Sequence, residues 1–372
     1  MTAAKRHAEV AGAGFAGLAA ATALCQRGWT VRVHEADAEL RAFGAGIHIW
    51  NNGRLGLHAL GALAAVEDGA PWPPAYETRT NNVITSKEFL NTPGKDRLLA
   101  ITRQHLHAAM VDAARRAGAE IVTSSTAVGA RADGTLLLQD GSALTADLVI
   151  GADGVKSQVR DSFDLGMQRQ RFIDRLIRVP ARRGAFRGGQ WDHVIDFWHT
   201  EGRTLRILYS PVNDDQIYMA MMSPFADKEA SAVPVNPVPW VACFPWFEPV
   251  VTRLGTRGRY DAYETTKLER WSEGKVVIIG DAAHAIPPTL GQGANIAICN
   301  ALGLAVALDE RGTVRDALEQ WEARERPLTD HTQRRAGEIA GARLLAGGMN
   351  SDDEGMRAAR SIPSGAHEQV LG

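Results

Sequence analysis

The stretch "AEVAGAGFAGLAAATALCQRGW", which begins at Ala8, limits the possible folds of this chain more than any other segment. It contains G-x-G-x-x-G at Gly12, Gly14 and Gly17. Residues 8–11 read as a short buried strand, and Phe15 to Gln26 as an Ala/Leu helix ending at Gly28. "TVRVH" at 30–34 alternates as a second strand, closed by Glu35. Strand, glycine turn, helix and strand form the βαβ unit that a dinucleotide requires. The glycines admit a phosphate close to the backbone, and the helix start at Phe15 and Ala16 turns N–H groups toward it. Glu35 follows the glycines by about 20 residues, where a carboxylate accepts ribose hydroxyls and disfavours the 2′-phosphate of NADP. The basic start "MTAAKR" before an apolar run also resembles a secretory signal. A strand with an acid at its tip follows at once, however, and the glycines would have no use in a segment removed after export.

Composition narrows the partners. A formal net charge of -2 with 23% charged residues gives no footprint for nucleic acid. No apolar run approaches the roughly 20 residues of a membrane span, so no membrane partner is expected. The cluster Arg175, Arg178, Arg182, Arg183 and Arg187 reads as a solvated face. Cys25, Cys243 and Cys299 are widely spaced, with no disulfide framework and no metal-ligand pattern, which favours a reducing cytoplasm and no metal.

Further along, "QHLHAAMVDAARRAG" (104–118) is an amphipathic helix, followed by a strand-rich stretch with DG turns. Between about 170 and 265, "HVIDFWHT", "TLRILYSP" and "DQIYMAMMSP" alternate as antiparallel strands, in a region holding Trp191, Trp198, Trp240 and Trp246. "GKVVIIGDAAHA" returns to buried-strand character, and helical pattern runs on to about 345. The expected fold is therefore α/β: a Rossmann-type nucleotide domain over 1–75, 101–169 and 266–345, interleaved with an antiparallel-sheet substrate domain over 76–100 and 170–265. The tail at 346–372 reads as loosely held.

Two later blocks decide which dinucleotide binds. "DLVIGADGVKSQVR" (147–160) is a strand running into Gly151, Asp153, Gly154 and Arg160. "GKVVIIGDAAHAIPPTLGQGANIAICNALGLAVAL" (274–308) is a strand, then Gly280–Asp281, a proline-glycine loop and a helix from near Ala294. Gly291, Gly293, Ala294 and Asn295 place the N–H groups of that helix start under whatever lies above. This suits the pyrimidine edge of a flavin, which becomes anionic on reduction. Asp281 either holds a ribityl hydroxyl or caps its own turn.

In order and spacing, over about residues 8–340, these three motifs resemble the class A flavoprotein monooxygenases, the para-hydroxybenzoate hydroxylase fold family. The resemblance implies FAD at the first site, with Asp153 in the second motif, and NADH or NADPH as a transient co-substrate lacking its own Rossmann unit. It also implies that Arg41 and Arg103 help to hold FAD and that Pro288 lies by the reactive edge of the flavin. The implied activity is insertion of one atom of O2, through a flavin hydroperoxide, into a small hydroxylated aromatic or heteroaromatic carboxylate. Asn300 departs from the pattern, since many members carry an acid there. Within the family, "ELRAFGAGI", "YETTKLERW" and above all "RILYSPVNDDQIY" are similar to oxygenases that open a hydroxypyridine carboxylate ring. That similarity implies substrate contacts at Arg206, Tyr218 and Tyr76, with His48 where those oxygenases carry a tyrosine.

The residues themselves leave alternatives. Arg206 sits on an alternating strand among Leu205, Ile207 and Leu208; it either reaches into the pocket as the bidentate partner of a carboxylate, faces solvent, or pairs with a structural acid. Tyr76 and Tyr218 either bond a substrate oxygen or serve their own core. His48 either donates to a phenolic oxygen or is a satisfied structural histidine, whereas His284 reads as structural. The expected partners are a small aromatic or heteroaromatic substrate and O2, with the protein a monomer or homodimer. A tailoring hydroxylase or epoxidase for a larger aromatic is the enzymatic alternative. A flavin-bearing protein that sequesters an aromatic ligand is the non-enzymatic one.

Overall fold

The computed structural model describes residues 5–41, 46–172, 174–255, 259–261, 263–310 and 312–342, so the tail expected at 346–372 lies outside the described residues. One sheet has six strands in the order Ser272–Glu273, Val276–Ile278, Leu148–Gly151, His7–Ala11, Thr30–His34 and Glu120–Val122. The four pairings from Val276–Ile278 to Glu120–Val122 are parallel, with Ala8 opposite both Leu148 and Val31. Ala8, Val10, Val33, Leu148, Ile150 and Val277 are wholly buried, as expected of parallel strands covered on both faces. Helix Phe15–Gln26 spans the residues expected of it. It is apolar nearly all round because it is packed between this sheet, helix Gly293–Glu310 and helix Arg103–Ala117. Arg103–Ala117 starts where the Thr102 hydroxyl accepts the His105 N–H at 3.1 Å, and ends at Gly118, whose φ of +101° is left-handed.

A second sheet has seven strands, in the order Arg259–Asp261, Asp174–Arg182, Gln216–Pro224, Leu205–Pro211, Val194–His199, Ala75–Thr80 and Val83–Phe89. Its neighbours are antiparallel except Val194–His199 with Ala75–Thr80, which are parallel. Period-two alternation divides its residues between two faces. One face carries Ile195, Phe197, Ile207, Tyr209 and Met219, packed on Phe186, Trp191, Trp240, Phe244 and Phe247. The other carries Tyr76, Asp196, Trp198, Arg206, Leu208, Ser210, Tyr218 and Met222. Of the four tryptophans in the region, only Trp198 belongs to this second face.

The solvated face expected of the arginine cluster holds only in part, and the side chain of Arg175 lies outside the described residues. Arg182 and Arg187 are exposed as expected, but Arg183 is buried, bonded to Asp192 and to the Phe186 carbonyl oxygen at 2.9 Å. Arg178 is half-buried, opposite Ala220 and on the second face. Among the described residues, no helix is long and apolar enough to cross a membrane and no cluster could hold a metal ion.

Candidate active site

The phosphate turn is fixed by steric demand. Gly12 has φ +99°, and a β-carbon there would lie 2.5 Å from the Ala152 carbonyl oxygen. A β-carbon on Gly17 would lie 2.0 Å from the Gly12 carbonyl oxygen. Gly14 precedes the helix in an extended conformation. No side chain caps that helix and no acid occupies its first turn, so its N-terminal N–H groups face outward, ready for an anion. Glu35 closes the turn: Oε2 accepts the Ala13 N–H at 2.9 Å and Oε1 accepts the Asp37 N–H at 3.0 Å. The Arg103 guanidinium lies 4.9 Å from the centre of the Phe15 ring. The third motif meets the first here, since Gly280, at φ +61°, would bring a β-carbon within 2.7 Å of the Ala16 β-carbon.

Asp281 presents surface to solvent although protein encloses it, which places it on a cleft wall and not on the outer surface. Burial pushes its carboxyl above the usual range, against the pull of Arg103 and Arg178. Beyond it the loop carries Pro288, which is exposed, and reaches Gly291, where a β-carbon would lie 3.3 Å from Trp50 Nε1 and 3.6 Å from the His48 β-carbon. Gly293 and Ala294 open the helix half-buried. The Asn295 side chain is committed to protein: Oδ1 accepts the Trp50 N–H at 3.0 Å, and Nδ2 donates to the carbonyls of His48 at 3.1 Å and Gly291 at 2.8 Å. Asp153 likewise secures its own turn, with Oδ2 accepting from Gln158 N at 2.8 Å and Val159 N at 3.2 Å. Arg160 ties the second motif to the third, its Nη1 donating to the carbonyls of Val155 at 3.0 Å and Ala282 at 3.1 Å. Arg41 stands largely exposed, 3.7 Å from Glu39, at the edge of the undescribed residues 42–45.

Strand Gly46–Trp50 lies against the second face of the seven-stranded sheet. A β-carbon on Gly46 would lie 2.5 Å from Tyr218 Cγ, and His48 Nε2 is 3.2 Å from Ser210 Oγ. Tyr76 packs with Trp50, Leu90, Leu98 and Val194; Tyr218 packs with Leu176, Met222 and Tyr263; Leu208 touches both groups. Arg206 is 4% exposed and lies 5.3 Å from the centre of the Trp198 ring. Its Nε donates to Asp196 Oδ1 at 2.5 Å and its Nη2 to Oδ2 at 3.0 Å, leaving Nη1 2.9 Å from Met222 Sδ. Burial opposes the charge on Arg206, but Asp196 more than offsets this and holds the guanidinium pKa above its ordinary value. Of the alternatives open to Arg206, the structure gives its fork to a structural acid. Asp196 was missed as a site residue, although a charge at an inward position of "HVIDFWHT" was a usable signal. Arg178 was missed because no sequence feature told which of the clustered arginines turns inward.

Beneath the loop, a buried network takes up His284 and Asn300. With the Asn300 amide oriented to satisfy both ends, its oxygen accepts from His284 Nε2 at 3.2 Å and its nitrogen donates to Glu325 Oε2 at 3.2 Å. Burial pushes His284 down to about 4, so it is neutral at pH 7. Burial pushes Glu325 up to about 8 against the opposing pull of Arg324. A carboxyl raised from 4.5 to about 8 stabilises the fold fully below 4.5, and the contribution is lost as pH rises through 8. Glu325→Gln is therefore expected to flatten the fall in melting temperature between pH 6 and pH 9. Parallel wild-type and variant curves would exclude a raised Glu325.

The model of a family described as the FAD binding domain matches residues 6–336. A crystal structure of a 2-methyl-3-hydroxypyridine-5-carboxylic acid oxygenase variant superposes with a TM-score of 0.91 at 47% identity, covering 97% of this chain and 98% of that one. A tetrameric form of that oxygenase matches at 46% identity and TM-score 0.91, over 96% and 97% of the two chains. A 2-heptyl-3-hydroxy-4(1H)-quinolone synthase of Mycobacteroides abscessus is 39% identical over 88% of each chain. A 3-amino-4-hydroxybenzoate 2-monooxygenase of Streptomyces cremeus is 31% identical over 94% of this chain and 90% of its own. With its glycine turn, proline-glycine loop and interleaved sheets, and with the family model matching most of its length, the chain belongs to the FAD-binding class A flavoprotein monooxygenases.

Proposed function

We propose that the protein uses NADH or NADPH to place one atom of O2 on a small hydroxylated aromatic or heteroaromatic ring, with ring opening as the step that follows on a 3-hydroxypyridine. The observation that carries this reading is the convergence of His48, Tyr76, Arg206 and Tyr218 between the flavin loop and one face of the seven-stranded sheet. The residues fit FAD, because the β-carbon-free cradle at Gly12 and Gly17 and the uncapped helix start leave N–H groups for a pyrophosphate. Gly14, Phe15 and Ala16 would line that phosphate, Glu35 would take the ribose, Asp281 a ribityl hydroxyl, and Gly291 to Ala294 the pyrimidine edge. When bound and reduced, FAD supplies the activation of O2. The protein orients and shields: Tyr76, Tyr218 and His48 address the oxygens of the ring, while Trp50, Leu208 and Met222 exclude water. In this reading the FAD-binding part is 1–75, 101–169 and 266–345 and the substrate part is 76–100 and 170–265.

The hydroxypyridine-carboxylic acid oxygenase and the aminohydroxybenzoate monooxygenase support a small hydroxylated ring, whereas the quinolone synthase supports a larger one without a carboxylate. The test is a panel of hydroxypyridine carboxylates, hydroxybenzoates and 4-quinolones under ¹⁸O2. The expected result is NAD(P)H oxidation stimulated by one class and a product heavier by one ¹⁸O atom. Binding of every class with no NAD(P)H oxidation would instead make the protein a flavin-bearing sequestering module.

A further inference from the structure

The second face of the seven-stranded sheet, where the proposed function places the ring, contains an ion pair that a carboxylate-anchoring site would not need. Asp196 is wholly buried and uses both carboxylate oxygens on Nε and Nη2 of Arg206. The sheet register sets this arrangement: Asp196 stands opposite Leu208 and Arg206 opposite Trp198, so the two are diagonal neighbours on one face. A guanidinium offers a side-on pair of donors, Nε and Nη2, and an end-on pair, Nη1 and Nη2, and here the protein's own carboxylate takes the side-on pair. An incoming carboxylate would find Nη1 and the second N–H of Nη2, and would reach them beside the negative charge of Asp196. Displacing Asp196 would leave a buried acid unpaired, at a cost that one ligand contact does not offset. Nη1 itself faces the thioether of Met222, a weak acceptor that a ring oxygen can replace.

We infer that Asp196 is a specificity-determining residue: by pairing with Nε and Nη2 of Arg206 it cancels the charge of that guanidinium and shifts this face toward rings that offer a neutral oxygen there and away from rings that bring a carboxylate. The inference rests on the proposed function, since it assumes that an aromatic ring binds on this face.

The test is equilibrium titration of the oxidised holoenzyme, read as the perturbation of flavin absorbance, which requires no turnover. The probes are a hydroxypyridine carboxylate and the carboxamide of the same ring. In the wild type the carboxamide is expected to bind at least as tightly as the carboxylate. Asp196→Asn retains the shape and one acceptor oxygen but removes the charge, and is expected to shift the ratio of dissociation constants toward the carboxylate by about tenfold or more. A wild type that prefers the carboxylate by about tenfold would overturn the inference even if the variant cannot be purified. Binding of both probes with an unchanged ratio in Asp196→Asn would overturn it as well. If neither probe perturbs the flavin, the reading of the pocket falls, and the inference falls with it.

Discussion

Gly17→Ala is expected to purify without flavin and to melt well below the wild type. The new β-carbon would lie 2.0 Å from the Gly12 carbonyl oxygen and 3.3 Å from Val10 Cγ1, and the nearer of these is backbone that cannot rotate away. Relief requires the first turn of helix Phe15–Gln26 to withdraw from the glycine turn. Overpacking of this kind costs about 1–3 kcal/mol. The larger effect falls on the cofactor, because the same movement takes the helix N–H groups away from the pyrophosphate. Gly14→Ala is the control for the apoprotein fold, since no protein atom lies within 4 Å of its β-carbon and its φ of -75° is ordinary. Apoprotein melting distinguishes the two, and the ratio of visible to ultraviolet absorbance gives the flavin content of Gly17→Ala against wild type. Equal melting of the Gly14→Ala and Gly17→Ala apoproteins would refute the steric account.

Arg206→Leu is expected to destabilise the protein by about 3–5 kcal/mol, because it leaves a buried carboxylate without its partner. The loss belongs to Asp196 as much as to Arg206. Adding Asp196→Leu to the same chain should restore most of the stability, since a buried ion pair and a well-packed apolar pair of similar volume are often nearly equivalent. Denaturant unfolding of the two single variants and the double variant completes the cycle, whose coupling term is expected to be large and favourable. An Arg206→Leu cost below about 1 kcal/mol, the range of an exposed ion pair, would show that Asp196 has water or another partner. The outcome also guards the reading of kinetic data, because loss of activity in an Arg206 variant reports first on the fold and only then on substrate contact.

How much could be read from the sequence follows from the range of the interactions involved. The phosphate turn is legible because each glycine answers a local steric demand, and the acid at Glu35 stands at a fixed distance along the same βαβ unit. The antiparallel character of 170–265 is legible from alternation, and alternation also puts Arg206 and Asp196 on one face. Their pairing is not legible, because it depends on the register of Val194–His199 against Leu205–Pro211, which neither strand carries in its own letters. The same limit applies to Asn295, which looks like a cofactor ligand in its motif but bonds to the strand Gly46–Trp50, far away in sequence. Glu325 was silent for a further reason. An acid in a long charged helix reads as solvated until the helix is docked, and here docking buries it completely.

The contact of Gly280 with Ala16 carries a consequence for how the holoenzyme comes into being. Gly280 comes long after Ala16 in the chain, so the glycine turn is synthesised well before the wall it packs against. A nascent protein therefore displays its nucleotide fingerprint long before it can enclose a flavin. Enclosure of a cofactor has to await synthesis of the segment around Gly280, and a chain that stalls between the two exposes Ala16 and the helix around it to its neighbours.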